Sequence, residues 1–331
     1  MYHYPVHLAD YHVYDVFCSD DNKLVIIMPA EPTPPPKIEA CSRRSEGVRE
    51  EFELIVGPHG HVLIYRLDHA PDFEEVVVLY IDGIRVETAV SKYPHYPDEI
   101  IMSTIVKNED AFIRQWIDYH LGLGISRFII YDNSANQTLG ELLSSYISEK
   151  IVYLIKWQYP YRLECSGISG QVTQQNHSIY AFQKSKYIGL FDIDEYVNPQ
   201  LPAIKTIGSM LDHIIRRDEI DVGEISSFRL LNKFFYNPCQ IPVRGGQNFL
   251  RIVSCGDIVR GGHEKNFVIP GNVKTFSVHM VTSGKEMFTV SEKDMFFNHY
   301  YFLNKITRGT DATELEDRSI LSRVDFSKQY H

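Results

Sequence analysis

No stretch of this 331-residue chain approaches the roughly 18 consecutive apolar residues that a membrane-crossing helix requires. The densest apolar run, Val76-Val77-Val78-Leu79-Tyr80-Ile81, has only the length of a strand. Cysteine is scarce: Cys18, Cys41, Cys165, Cys239 and Cys255 are odd in number and scattered, without a CxxC pair. That predicts reduced thiols rather than a disulfide framework or a zinc finger. Positive charge is also short, 33 Lys and Arg against 43 Asp and Glu, for a net charge of -10. A chain so acidic has no broad basic face for nucleic acid, which is excluded as a main partner, while a local basic pocket for a phosphate is allowed. The opening Met1-Tyr2-His3-Tyr4-Pro5 lacks a basic segment followed by an apolar one. The expected location is therefore cytoplasmic, with no transmembrane segment, and a patch such as Arg43-Arg44 leaves room for peripheral membrane contact. Several catalytic signatures are missing as well: GxxxxGKS/T, GxGxxG after a strand, HExxH and GxSxG.

What is present reads as two regions. Hydrophobic residues at 44% and charged residues at 23% are ordinary globular values, so fibrous and low-complexity classes are out. Residues 1–97 are β-rich: Lys23 to Met28, Glu51 to Val56, His61 to Arg66 and Glu75 to Ile81 carry β-branched and aromatic residues between turn formers. Asp82-Gly83, followed by the alternating Ile84 to Thr88, predicts a two-residue hairpin turn. The prolines of Tyr93-Pro94-His95-Tyr96-Pro97 mark the boundary, with a second domain over 98–331.

From Ile100 the pattern becomes strand, helix, strand. Ile101 to Val106 is apolar, and Asn108 precedes a helix whose Ile113, Ile117 and Leu121 share one face until Gly122 and Gly124 stop it. Arg127 to Tyr131 is the next strand, Leu139 to Ser148 a helix, Ile151 to Ile155 a strand, Gln171 to Lys186 a helix and Tyr187 to Phe191 a strand. This alternation predicts an α/β fold with a mostly parallel sheet flanked by helices, preceded by the small antiparallel β-rich subdomain. Ligands of such sheets bind beyond the carboxyl ends of the strands.

Those ends carry the informative residues: Lys107-Asn108-Glu109, Asp132-Asn133-Ser134 and Asp192-Ile193-Asp194-Glu195. Successive strand side chains alternate faces, so Asp192 and Asp194 project to one side while Ile193 goes to the other. Two carboxylates so close repel unless a cation lies between them, and hard oxygen ligands favour Mg²⁺ or Mn²⁺. The alternative is that Asp194 and Glu195 only favour the dipole of a following helical turn.

The segments Val106-Lys107-Asn108-Glu109, Trp116 to Gly124, Tyr131-Asp132-Asn133-Ser134, Gln171 with Asn176, Phe191 to Tyr196, Asn298-His299-Tyr300-Tyr301, and Lys305 with Arg308-Gly309 occur in that order between about residues 100 and 310. Together they resemble glycosyltransferase family 92 and its near relatives of the GT-A fold. The resemblance implies a metal-dependent, inverting glycosyltransferase that moves a sugar, galactose first, from a UDP-sugar donor to a hydroxyl of a glycan acceptor. It implies Mn²⁺ (or Mg²⁺) held by Asp192, Asp194 and His299, with His279 the rival for the last place. It also implies a nucleotide-sugar pocket of Val106, Lys107, Asn108, Glu109, Asp132, Gln171, Asn176 and Asp192, with Lys305 and Arg308 on the diphosphate. Asp132 would accept the uracil N3–H, which a carboxylate can do. Inversion by direct displacement needs a carboxylate to take the acceptor's proton. Asp257 and Glu264 are the candidates, with Glu224 behind them, near an acceptor-side loop over Arg244 to Pro270. The animal members usually have an N-terminal membrane anchor, which has no counterpart here. Two rivals stay open. A phosphohydrolase of the haloacid dehalogenase type also uses Asp-x-Asp after a strand, but the only adjacent Asp pair, Asp20-Asp21, comes too early for it. A non-catalytic carbohydrate-binding protein on a degenerate transferase fold is the other.

Overall fold

Four apolar runs, Ile100–Val106 (β1), Arg127–Asp132 (β2), Val152–Trp157 (β3) and Tyr187–Leu190 (β4), form neighbouring parallel strands in the order β3-β2-β1-β4. The structure, a computed structural model, describes residues 2–3, 6–19, 21–30, 34–41, 49–57, 61–68, 76–108, 110–136, 138–162, 169–236, 249–300 and 315–324. Beyond β4 the sheet continues through Lys265–Val268, antiparallel to it, and then Ile225–Leu230. This is the mixed α/β architecture with a mostly parallel centre that the alternating pattern predicts. Among the described residues no helix is long and apolar enough to cross a membrane.

Alternation along each strand divides the core in two. Met102, Val106, Phe128 and Ile130 face the helices Asp110–Gly122 (α1) and Ile207–Arg217 (α3), which bury Ile113, Trp116, Ile117, Leu211 and Ile214 against them. Ile101, Ile129, Tyr131 and Trp157 face the opposite way, toward the helix Ser169–Ala181 (α2) and the N-terminal strands. Gly124 closes α1 with φ +84, and a Cβ there would lie 2.9 Å from the side chain of Thr206, so the close approach of α1 to the start of α3 requires glycine.

The N-terminal region has the expected strands Leu24–Pro29, Val62–Leu67 and Val76–Ile81, and Asp82 and Gly83, with φ 49 and 82, make the hairpin turn. Tyr14, Phe17, Val25 and Ile27 enter the same core as Ile129 and Val172, and Tyr2–His3 pairs parallel with Lys156 and Trp157 at the edge of the central sheet.

Four expectations change. The run Glu51 to Val56 breaks at Phe52, because Arg49–Glu51 and Glu53–Val56 pair into two different sheets. The helix over Leu139 to Ser148 is two short turns, Leu139–Leu142 and Ser144–Ser148, and α2 ends at Ala181 rather than Lys186. The segment Arg244 to Pro270 contains the strands Ser254–Val259 and Lys265–Val268 and so is not one long loop. Glu109, Lys305 and Arg308 lie outside the described residues.

Candidate active site

The strand β4 stops at Leu190, and the Glu195 N–H turns back to donate to the Asp192 carbonyl at 3.1 Å. The Asp192 N–H answers by donating to Glu195 Oε2 at 2.9 Å, and Trp116 of α1 pins the Glu195 carbonyl through Nε1 at 2.9 Å. The acidic run therefore lies on a tight turn instead of a continuing strand. The two aspartates diverge, Asp192 toward Lys265 and Asp194 toward His299, which corrects the expectation of a shared face.

From Glu195 a new strand, Glu195–Pro199 (β5), runs antiparallel to Met295–His299 (β6), with Glu195 directly opposite His299. Opposed residues on such a ladder bring their side chains together, so the register joins a histidine to an acid about a hundred positions earlier. The Tyr300 N–H donates to the Asp194 carbonyl at 2.8 Å and fixes the same junction. His299 Nε2 is 3.5 Å from Asp194 Oδ2, and Nδ1 is 3.8 Å from Glu195 Oε1. One ligand atom from each of Asp194, Glu195 and His299 lies within 4.8 Å of the others.

This donor set fits a divalent cation. Two carboxylates and an imidazole suit Mn²⁺ or Mg²⁺, and ligands about 2.1 Å from such an ion stand roughly 3 Å apart, near the Asp194–His299 spacing. Burial opposes a charge on His299, but Asp194 and Glu195 outweigh it and raise its pKa. Burial is also the main influence on Glu195; Lys265 pulls against it, and the carboxyl is left at about 7.

Lys265 is the buried cation of the site. Its Nζ is 2.6 Å from Asp192 Oδ2 and 3.1 Å from Glu195 Oε2. Burial resists its charge, yet the two acids raise its pKa. Burial likewise works against Asp192, and Lys265, His299 and His279 together hold its carboxyl below the usual range. Neither Glu195 nor Lys265 carries a role in the sequence reading. The signals were a third acid directly after the triplet and a lone lysine opening the apolar strand Lys265–Val268.

Other predicted residues distribute unevenly. Gln171, at the start of α2, reaches Asp192 Oδ1 at 3.4 Å and accepts from the Tyr161 hydroxyl at 2.7 Å. Lys107 is exposed, with Nζ 6.0 Å above the Tyr161 ring. The Val106 carbonyl accepts from Asn133 N–H at 2.8 Å, and Asn108 N–H donates to Ser134 Oγ at 2.9 Å, so the ends of β1 and β2 are tied together. Asp132 is buried, ion-paired with Lys156, and accepts from Ser134 N–H at 3.0 Å. Asn176 stands apart, its amide wholly engaged by Val172 and Phe276. Asp257 is exposed on Ser254–Val259, and no hydrogen bond or ion pair among the described residues joins it to the cluster. Glu264 is beside Lys265 in sequence, but its carboxylate accepts the N–H groups of Gly261 and Gly262 at 2.8 and 2.9 Å. Burial opposes its ionisation, and these backbone bonds prevail to lower its pKa, which makes it a turn holder of low basicity.

The model of the family described as Glycosyltransferase family 92 matches residues 100–324, the part of the chain that holds the sheet, the acidic turn and His299. The chain belongs to glycosyltransferase family 92. Similar relatives are a glycosyltransferase family 92 protein of Oryza sativa subsp. japonica, 26% identical over 108 residues, and one of Arabidopsis thaliana, 29% identical over 134 residues. These alignments cover 33% and 38% of this chain but 17% and 22% of those proteins, so the chain matches about a fifth of its relatives' length. Among solved structures, S. aureus TarS 1-349 in complex with UDP aligns at 11% identity with a TM-score of 0.38, covering 61% of this chain and 60% of that one.

Proposed function

We propose that this family 92 chain is a UDP-sugar-dependent, inverting glycosyltransferase that transfers a sugar, galactose first, to a hydroxyl of a glycan acceptor. The observation that carries the reading is the convergence of Asp194, Glu195 and His299 at the carboxyl end of a parallel strand, where open α/β sheets bind ligands. Asp194 and His299 would hold Mn²⁺ or Mg²⁺, with Glu195 behind them and Asp192 at the edge. When bound, the ion neutralises charge developing on a diphosphate leaving group. Asp132, which in this structure pairs with Lys156 and Ser134, would accept uracil N3–H, and Val106, Lys107, Asn108, Glu109 and Gln171 would line the nucleotide side. Lys305 and Arg308 would face the diphosphate, and Asp257 remains the candidate for the acceptor's proton, since Glu264 is held by its turn. Residues 1–97 form the β-rich subdomain, and 98–331 the transferase domain.

Hydrolysis of a panel of UDP-sugars, with Mn²⁺ added or chelated, tests the reading. Turnover is expected only with metal, and Asp194→Ala is expected to lower it about a hundredfold or more, the scale of a lost electrostatic stabiliser. Metal-independent turnover, or full activity in the variant, refutes the proposal.

A further inference from the structure

A cavity of about 690 Å³ runs along the outer edge of β3, within the range of roughly 300–1,000 Å³ that small-molecule sites occupy. The edge is open there. Tyr2–His3 pairs only with Lys156 and Trp157, so among the described residues Val152 to Ile155 have no strand on their outer side. Ile147, Val152 and Leu154 give the cavity an apolar wall.

The charge of the lining is one-sided. Arg127, Lys150 and Lys156 contribute to it, and among the described residues no acid does. The three cations differ in what they already hold. Lys156 is neutralised by Asp132. Arg127 Nη1 donates to the Ser126 carbonyl at 2.9 Å, but Nε stands 3.7 Å from Glu99 Oε2, beyond hydrogen-bond reach, and is buried without an acceptor. Lys150 is exposed, and its ammonium has no hydrogen bond or ion pair among the described residues. Phe128 N–H donates to the Ile151 carbonyl at 2.9 Å, so Arg127 and Lys150 stand at the amino ends of neighbouring strands, about 4.8 Å apart.

The backbone at Lys150 is unusual. It sits at φ 59, where a helical turn ends and glycine or asparagine is the ordinary choice. The cap itself is made by main-chain groups, Lys150 N–H to the Ile147 carbonyl at 3.0 Å and Ile151 N–H to the Tyr146 carbonyl at 2.8 Å. The ammonium is therefore not what the turn requires. Tyr153 adds a second free group: it is half-buried in the lining, and its hydroxyl has no hydrogen-bond partner among the described residues. Burial, with Asp15 nearby, raises its pKa, so the hydroxyl keeps its proton and can donate.

We propose that this cavity binds a sugar bearing an anionic group, a phosphate or a carboxylate, with the charge held by Arg127 and Lys150 and a hydroxyl accepting from Tyr153. Charged acceptors make the stronger hydrogen bonds to guanidinium and ammonium groups, and the unmet donors of Arg127 and Lys150 suit one. The apolar wall receives the C–H groups of the ring. This site is separate from the acidic turn, which follows the carboxyl end of β4, and the inference does not depend on the transferase reading.

Isothermal titration calorimetry on the whole chain with galactose 1-phosphate, galacturonate and galactose tests the site, in EDTA so that no anion lodges on a metal at the acidic cluster. At least one of the two anions is expected to bind, and galactose about tenfold or more weakly, the scale of a charged hydrogen bond. Comparison of the two anions tells phosphate from carboxylate. Lys150→Gln, a surface change that spares folding, should weaken the anion about tenfold, and Lys150→Arg should keep it within about threefold of wild type. Tyr153→Phe should weaken it about threefold. Failure of both anions to bind, galactose binding as tightly as they do, or unchanged affinity in Lys150→Gln overturns the proposal. Metal-dependent UDP-sugar hydrolysis is untouched by any of these results, so the two readings fail separately.

Discussion

Lys265 Nζ lies 2.6 Å from Asp192 Oδ2, so the first acid of the triplet is neutralised from within the protein. The same ammonium reaches Glu195 at 3.1 Å, and one buried positive charge thus serves two carboxylates. Asp194 and His299 are left on the other side of the turn as the groups with most to gain from a second cation.

Replacing the ammonium by an apolar side chain of similar length separates these effects. In Lys265→Met the two acids lose their counter-charge, and breaking a buried pair from one side costs about 3–5 kcal/mol. Thermal unfolding without metal should shift down accordingly. Added Mn²⁺ should then stabilise the variant more than the wild type, because the ion supplies charge that Lys265 no longer does. An equal Mn²⁺ shift in both proteins would show that Lys265 and the cation site are electrostatically independent.

How far this site was legible from the residues depends on which physical signal each part emits. The strands β1, β2 and β4 advertise themselves as apolar runs, and α1 by its repeat of Ile113, Ile117 and Leu121, because burial on one face leaves a periodic trace. Helix α2 was legible as a helix over Gln171 to Lys186, but its full burial was not. Gln171 through Ala181 are buried, yet the stretch is rich in amides, and its burial is possible only because Gln174 donates to Ser103 at 2.8 Å and Asn176 saturates itself on Val172 and Phe276. Satisfaction of that kind is decided by tertiary partners that no local window contains. Asp192 and Asp194 were visible as a pair, but their divergence hangs on one reverse turn. The approach of His299 to Glu195 hangs on a strand register, and Lys265 enters from a strand with no sequence neighbour in the turn. Each of these is a long-range pairing.

The same logic makes α2 vulnerable where it meets the N-terminal region. Asp15, buried, accepts from Ser91 Oγ at 2.7 Å, from the Tyr93 hydroxyl at 2.5 Å and from His177 Nε2 at 3.0 Å, while His177 Nδ1 takes the Tyr131 hydroxyl at 2.7 Å. Asp15→Ala orphans two buried donors, the Tyr93 hydroxyl and His177 Nε2, and the half-buried Ser91 hydroxyl, each buried one costing about 1–3 kcal/mol when left unmet. Urea unfolding should show a loss of at least about 2 kcal/mol, and Asp15→Asn, which keeps an acceptor oxygen, should lose less. A loss below about 1 kcal/mol in the alanine variant would mean that water replaces the carboxylate and that this junction is not dry.

A last expectation concerns acid. His120 is buried at the end of α1, with Nδ1 2.9 Å from the Trp116 carbonyl, while Nε2 accepts from Val197 N–H at 3.3 Å. Nδ1 must carry the proton and Nε2 the lone pair, so the ring fits only when neutral. Burial drives its pKa down to about 3, opposed in part by the Trp116 carbonyl. The unfolded chain, with an ordinary histidine, takes up a proton near pH 6.5, and the folded one does not until about 3. Stability is therefore complete above 6.5 and falls as pH drops toward 3, with a slope from this ring approaching about 1.4 kcal/mol per pH unit. His120→Leu removes both hydrogen bonds and lowers stability at pH 7, yet it should flatten the decline between pH 6.5 and 4 relative to wild type. Denaturant titrations at four or five pH values would measure both slopes. Parallel curves would mean that His120 is already protonated in the folded protein, at odds with the lone pair that receives Val197.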